Sequence, residues 1–180
     1  AVVAASIVLS NVMITVRIPS VVEHVGHGTA QTAGLILAAM QFVGILAGLA
    51  FSPLTQLFRD RLLLVSGVAY GLTQMLIGLS TNLWMLAIVT VLAGFAYSVA
   101  LTTVFNVLSD QMPAGVLSQA TSIAILGCSA GSIATTFVLS FLGTVSSAPA
   151  FIFGFSGILM ILVSFFGFWI VRKSGKESCV

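Results

Sequence analysis

Few residues in this chain could do chemistry, and only one ionisable side chain lies inside a long apolar segment. That residue is Arg17, near the end of the first apolar run. A charge in apolar surroundings is costly and usually serves a function, so Arg17 is a candidate electropositive group for an anionic or polar substrate. Two alternatives stay open. Its long stem could reach a polar boundary, or it could pair with Glu23.

Uncharged polar residues spaced four apart form further candidate surfaces. Gly94, Ser98, Thr102 and Asn106 recur every fourth residue, and residues at this spacing share one face of a helix. Such a stripe lines a cavity or forms hydrogen bonds between helices. We expect the cavity because packing between helices alone rarely needs the full amide groups of Asn106 and Asn11. The predicted cavity-lining set is Asn11, Thr15, Arg17, Gln41, Ser98, Thr102 and Asn106.

Metal binding and catalysis find little support in the residue types. Glu23, His24 and His27 have ligand chemistry, but two histidines and one carboxylate beside glycines are too few for a zinc site. Cys128 has no histidine within any apolar run to act as its base. The sequence therefore predicts no catalytic residue, no metal and no cofactor.

The elements that position these residues must lie in a membrane. Of the 180 residues, 59% are hydrophobic and 6% are charged, with a mean hydropathy of +1.21, whereas about 25% are charged in a soluble domain. Too few polar residues remain to cover a surface in water. The net charge of +2 rests on so few residues that it indicates no nucleic-acid partner.

Six apolar runs are long enough to cross a bilayer, which takes about 20 residues each. Glycine, proline and short polar clusters separate them. Short connections leave no room for a soluble domain, so residues 1–180 are predicted to form a single bundle. The predicted helices are 2–22, 30–52, 62–80, 83–107, 116–143 and 150–171.

The basic residues outside the spans indicate an orientation. All five lie on one side of the predicted membrane, and the loops on the other side have none: Arg59, Arg61, Arg172, Lys173 and Lys176. Basic residues near span ends stay cytoplasmic. We therefore expect a multi-pass protein of the cell membrane with both termini in the cytoplasm, which agrees with an even number of spans.

An internal repeat relates the two halves of the chain. An offset of 87 residues pairs Gly44 with Gly131 and Gly67 with Gly154, and it maps spans one to three onto spans four to six. Because three is odd, the second unit must be upside down. The predicted fold class is an all-α, polytopic six-helix transmembrane bundle of two inverted three-helix repeats.

Pairs of small residues spaced four apart indicate close helix contacts. Such pairs let backbones approach in lipid, and the hydroxyl-rich fifth span has the same character. The predicted packing residues are Gly44, Gly48, Gly67, Gly71, Gly127 and Gly131.

A loop motif suggests a family. The segment from Gly48 to Arg61 reads GLAFSPLTQLFRDR and resembles the Gly-x-Leu-x-Asp-Arg-x-Gly-Arg-Arg loop of the major facilitator superfamily, in the eroded form of the second half. Leu54, Phe58 and Arg61 fit the motif, and Gln56 replaces its Asp. A second similarity runs from Gln111-Met-Pro113 to Gly127-x-x-x-Gly131, which looks like the entry into the family's eleventh helix.

This resemblance implies the C-terminal six-helix half of a secondary active transporter, a permease that moves a small solute by alternating access. The implied partners are the solute, membrane lipid, a proton or another cation as coupling ion, and an N-terminal six-helix half; the start at Ala1 suggests that this half precedes the chain. No carboxylate lies mid-span, so a titrating residue is expected in that half. Alternatives are a membrane assembly subunit or a half-size transporter pairing with a second copy. An intramembrane enzyme lacks its catalytic residues.

Overall fold

The computed structural model describes residues 2–26, 28–58, 61–145 and 148–177. His27 of the histidine pair and Arg59 of the basic loop lie outside the described residues, as do the side chains of Arg172, Lys173 and Lys176. The predicted charge asymmetry therefore rests on the sequence.

The described residues form helices and no strands. The seven helices are α1 (Val2–Gly26), α2 (Ala30–Leu49), α3 (Phe51–Phe58), α4 (Leu62–Gly78), α5 (Leu83–Gln111), α6 (Ala114–Val145) and α7 (Pro149–Glu177). Most are longer than predicted. The prediction followed the apolar residues, which mark only the part of a helix inside the lipid core, whereas the helix itself continues until its capping groups end it. The largest difference is in α7, which was predicted to end at residue 171.

Five of these helices are long and apolar enough to cross a membrane: α1, α2, α5, α6 and α7. A sixth span is present if α3 and α4, which differ in direction by 112°, form one broken span. The prediction of an all-α polytopic membrane protein is confirmed.

The segment around Pro53 differs from the prediction. We expected span two to end at residue 52 and a loop to follow, but α2 ends at Leu49 and a short helix, α3, starts at Phe51. Proline has no N–H to donate to the carbonyl four residues earlier and clashes with it, and that carbonyl belongs to Leu49. Within the first turn of a new helix proline is tolerated. Pro53 therefore separates α2 from α3 without preventing helix formation.

Helix packing has an exchange symmetry. The three most extensive contacts are α4 with α7, α1 with α6, and α2 with α5. Exchanging the first three long helices (α1, α2, α4) with the last three (α5, α6, α7) turns the α1–α6 contact into the α5–α2 contact and leaves the α4–α7 contact unchanged. This is the packing that a repeat related by a two-fold axis requires.

Two glycines that the 87-residue offset relates occupy equivalent contacts. Gly44 of α2 faces α5, where an added Cβ would lie 3.7 Å from the Gly94 carbonyl oxygen. Gly131 of α6 faces α1, where an added Cβ would overlap the backbone of Ala5. Both positions therefore lie where a helix of one unit crosses the first helix of the other.

Candidate substrate-facing surface

The polar residues of α1 point in different directions. Thr15 is exposed, whereas Asn11 is buried and its Oδ1 accepts no hydrogen bond from the described part of the chain. The Thr15 hydroxyl donates to the Asn11 carbonyl oxygen at 3.0 Å, so Thr15 can still accept a bond. Thr15 lies on the open side of α1, and Asn11 lies at the edge of that side.

Arg17 does not share the face of Thr15. Two residues turn a helix by about 200°, so the two side chains leave α1 on opposite sides. Arg17 lines a cavity with residues at the start of α7, including Pro149 and Ile152. The sequence grouped Arg17 with Thr15 because both lie near one end of the span, and the structure separates them. Arg17 also forms no ion pair with Glu23, both of which the structure describes.

The stripe on α5 divides between packing and open surface. The Ser98 hydroxyl donates to the Gly44 carbonyl oxygen of α2 at 2.7 Å, and an added Cβ on Gly94 would lie 2.6 Å from Met40 Cγ. Each step of four residues turns the stripe by about 40°, so it winds away from α2. Thr102 is half-buried and Asn106 is exposed. The structure therefore places Ser98 in a helix contact instead of a cavity wall.

An open strip of small and amide residues runs along α2. Gln41 is exposed, and added Cβ atoms on Gly34 and Gly48 would have no atom within 4 Å. An added Cβ on Gly48, which was predicted to pack, therefore meets no other described helix. The large apolar residues Leu35, Phe42 and Leu46 are also exposed and lie on the adjacent side of the helix, whereas the exposed Ile45 lies directly beside the strip. The exposed arc of α2 thus has a small, partly polar side and an apolar side.

The exposed arc of α6 is divided in the same way. One side carries hydroxyls, all exposed except the half-buried Ser132: Ser118, Ser122, Ser129, Ser132, Thr136 and Ser140. One large apolar residue, the exposed Ile125, lies among them. The adjacent side carries large exposed apolar residues: Ile123, Leu126, Ile133, Phe137 and Phe141. A helix that met lipid over its whole exposed arc would not need a row of hydroxyls. We call these the polar strips of α2 (Gly34, Gln41, Gly48) and of α6 (the hydroxyl residues above).

The remaining predicted packing glycines lie mainly between α4 and α7. An added Cβ on Gly67 would overlap the Ser164 side chain, and one on Gly71 would lie 2.7 Å from the Gly157 carbonyl oxygen. Gly157 in turn approaches the Gly71 carbonyl oxygen, where an added Cβ would lie at 2.6 Å. Gly127 is half-buried in α6. We call the mutual approach of Gly71 and Gly157 the α4–α7 seam.

The loop-motif residues have separate environments. Leu54 and Phe58 of α3 pack against an apolar cluster that includes Ala47 and Leu62, whereas Arg61 is exposed. The two apolar motif residues therefore hold α3 against the bundle. Arg61 takes no part in this apolar contact.

A buried polar group escaped the sequence analysis. The Ser156 hydroxyl bonds with Gln74 Oε1 and with Ser10 Oγ, joining α7, α4 and α1 in the core. Gln74 is a single amide in an apolar run, and single serines in apolar runs carry no periodic signal. The spacing of Tyr70 and Gln74, both fully buried, was the available indication, because residues four apart share a helix face. This group connects helices and is closed to solutes.

Metal-binding chemistry is not assembled in the part of the chain that the structure describes. No group of three or more His, Cys, Asp or Glu side chains could hold an ion there. His24 Nδ1 instead donates to the Ser20 carbonyl oxygen of its own helix at 2.8 Å.

Long apolar helices, the close α4–α7 seam and partly polar open strips on α2 and α6 define a polytopic membrane protein. Sequence comparison identifies its family. A family model described as Major Facilitator Superfamily matches residues 1–178, and the chain belongs to this family, whose members are transporters. A search of curated proteins finds no match. The resemblance read from the loop motif is thus confirmed.

Proposed function

We propose that this chain forms the C-terminal six-helix bundle of a secondary active transporter that moves a small solute by alternating access. The observation that carries this proposal is the polar strip on α6 beside its apolar side. In a transporter half, one part of such a helix faces lipid and the other faces the pathway and the partner bundle.

The distribution of burial supports this placement. Only 17% of the α6 span and 22% of the α2 span are buried, compared with 44% of α5 and 39% of α7. These two least covered spans are also the pair that the exchange symmetry relates. A second bundle packing on both of them would cover the two equivalent surfaces together.

The solute pathway in this proposal is lined by uncharged groups. Thr15, Gln41 and Asn106 are exposed and Thr102 is half-buried. In contrast, Ser98 bonds to α2, Arg17 lines a separate cavity and Asn11 is buried. Amides and hydroxyls donate and accept hydrogen bonds without adding charge. A small polar solute therefore fits this half better than a strongly charged one, and coupling to a proton or cation is assigned to the partner bundle.

The proposed setting is the cell membrane with both termini in the cytoplasm. The tryptophans support two interfaces: Trp84 near the start of α5 is 78% exposed, and Trp169 near the end of α7 is 61% exposed. Tryptophan is enriched at membrane boundaries. In this topology the segments at the Trp169 end carry the basic residues, and the loops at the Trp84 end carry none.

The test is thiol block of transport in the complete transporter. Cys128 and Cys179 are replaced by alanine, and a single cysteine is introduced at Ser129 on the polar strip or, as the matched control, at Phe137 on the apolar side. A charged methanethiosulfonate should inhibit uptake through the Ser129→Cys variant only. Equal inhibition through both positions, or none through either, would contradict the proposal.

A second candidate is a half-size transporter in which a second copy supplies the partner bundle. The open strips on both α2 and α6 favour this candidate because equivalent surfaces of two copies can meet in a symmetric dimer. Native mass measurement of the purified chain distinguishes the two cases. A stable dimer supports self-pairing, and a monomer supports a separate partner bundle.

A further inference from the structure

A cavity of about 180 Å³ lies at one end of the bundle, on the far side of α1 from the proposed pathway. Three polar residues of α1 line it (Arg17, Ser20 and His24), together with Pro149, Ile152 and Phe153 at the start of α7. We call it the Arg17 pocket. It is large enough for a polar group bigger than a single water.

The Arg17 pocket is separate from the face that carries Thr15. The guanidinium reaches α6, since an added Cβ on Gly143 would lie 3.9 Å from Arg17 Nη2. The pocket therefore opens where α1, α6 and α7 meet, and α1 itself stands between it and Thr15. This inference does not depend on the proposed transport function.

The charge around the pocket is positive. Among the described residues no carboxylate lines it, and Arg17 has neither an ion pair nor a hydrogen bond through its side chain there. Arg17 presents donors in a planar fork that matches phosphate oxygens. The start of α7, where Pro149 lies, adds the positive end of a helix dipole, and that first turn has no acidic residue.

The local hydrogen bonds keep the pocket's polar residues in place. The Ser20 hydroxyl donates to the Arg17 carbonyl oxygen at 2.8 Å, and His24 Nδ1 donates to the Ser20 carbonyl oxygen at 2.8 Å. Both bonds belong to the last turns of α1. They leave the Arg17 guanidinium available to a ligand.

The depth of the pocket matches a lipid headgroup. The apolar span of α7 runs from Pro149 to Trp169, which at 1.5 Å per residue is about 30 Å, the thickness of the hydrocarbon core. Pro149 therefore lies at one membrane boundary, and Trp169 lies at the other. Phosphate groups of lipids are concentrated at this level.

We propose that the Arg17 pocket binds a phosphate anion, with the guanidinium of Arg17 as its main ligand. Both a phospholipid headgroup and free phosphate carry this chemistry. At a membrane boundary the headgroup is present at far higher local concentration, so the proposal expects an anionic phospholipid to fill the pocket.

The test is native mass spectrometry of the full chain in detergent with phosphatidylglycerol, with a diacylglycerol that lacks phosphate, or with inorganic phosphate. The variant is Arg17→Gln and the matched control is Arg61→Gln, an exposed arginine away from the pocket. Loss of a charge-assisted hydrogen bond should weaken phosphatidylglycerol retention about ten-fold in Arg17→Gln, and Arg61→Gln should retain it.

A second variant keeps the test decisive if Arg17→Gln does not fold. Gly143→Leu fills the space beside the guanidinium without removing charge, and it should also reduce retention. If the chain binds inorganic phosphate but does not bind phosphatidylglycerol, the result would support the anion site and assign it to a soluble ligand. Unchanged phosphatidylglycerol retention in both variants, or equal retention of diacylglycerol, would overturn the proposal.

Discussion

Glycine occurs both in the α4–α7 seam and in the polar strip of α2, for opposite structural reasons. Gly71 is glycine because the Gly157 backbone lies against it, whereas Gly34 has no atom within 4 Å of an added Cβ. A small residue in contact with another backbone is fixed by the bundle itself. A small residue that faces open space is not fixed by this bundle, and in the proposed transporter it leaves room for the partner bundle or the pathway.

The largest expected effect is on the closed region. Gly71→Ala should destabilise the bundle by about 1–3 kcal/mol, since the new methyl group overlaps a backbone oxygen that cannot move aside. Gly34→Ala is the control and should be neutral or more stable by up to about 1 kcal/mol through helix propensity. Unfolding of the purified chain in mixed detergents measures both. Equal changes would show that the two regions are packed alike.

The next effect concerns the open strip. Gly34→Leu should leave folding intact but lower transport by the complete protein about ten-fold. The larger side chain would clash in one conformation of the transport cycle, and raising the free energy of that conformation by only ~1.4 kcal/mol lowers the rate by this factor. Ala39→Leu, on the apolar side of the same helix, is the control and should transport normally. Uptake into proteoliposomes measures both variants. Normal transport by Gly34→Leu would remove the strip from the proposed pathway.

A smaller effect is expected from the α2–α5 hydrogen bond. Ser98→Ala should cost about 0.6 kcal/mol, the average for a hydrogen bond between membrane helices. Ser122→Ala removes a hydroxyl that bonds its own helix, at the Ser118 carbonyl oxygen, and should cost less. Unfolding free energies decide between them. A larger loss of transport than of stability in Ser98→Ala would return Ser98 to the pathway.

The smallest effect is expected at the carboxylates. Glu23 and Asp110 are exposed at helix ends, so Glu23→Gln and Asp110→Asn in the complete transporter should leave the ratio of coupling ion to solute unchanged. Flux measurements with and without an ion gradient determine this ratio. Loss of coupling in Asp110→Asn would place the coupling site in this half.

The sequence predicted the spans and the family because both depend on local composition and a contiguous motif. It did not predict the direction of the Arg17 side chain, because depth along a helix is readable from position but direction depends on which neighbours surround the helix. Ser98 shows the same limit, since a polar stripe that faces a glycine of another helix looks identical to one that faces water. Ser10 and Ser156 were missed because their partnership joins residues far apart in the chain.

The most direct test of the central claim, that the polar strip of α6 lines a pathway open to each side in turn, is side-specific labelling at Ser129. A single cysteine there, in the complete transporter without Cys128 and Cys179, is treated with an impermeant maleimide from the outside or the inside of sealed vesicles. The account predicts labelling from both sides, with added solute raising one rate and lowering the other. Labelling from only one side under all conditions, or no labelling at all, would contradict it.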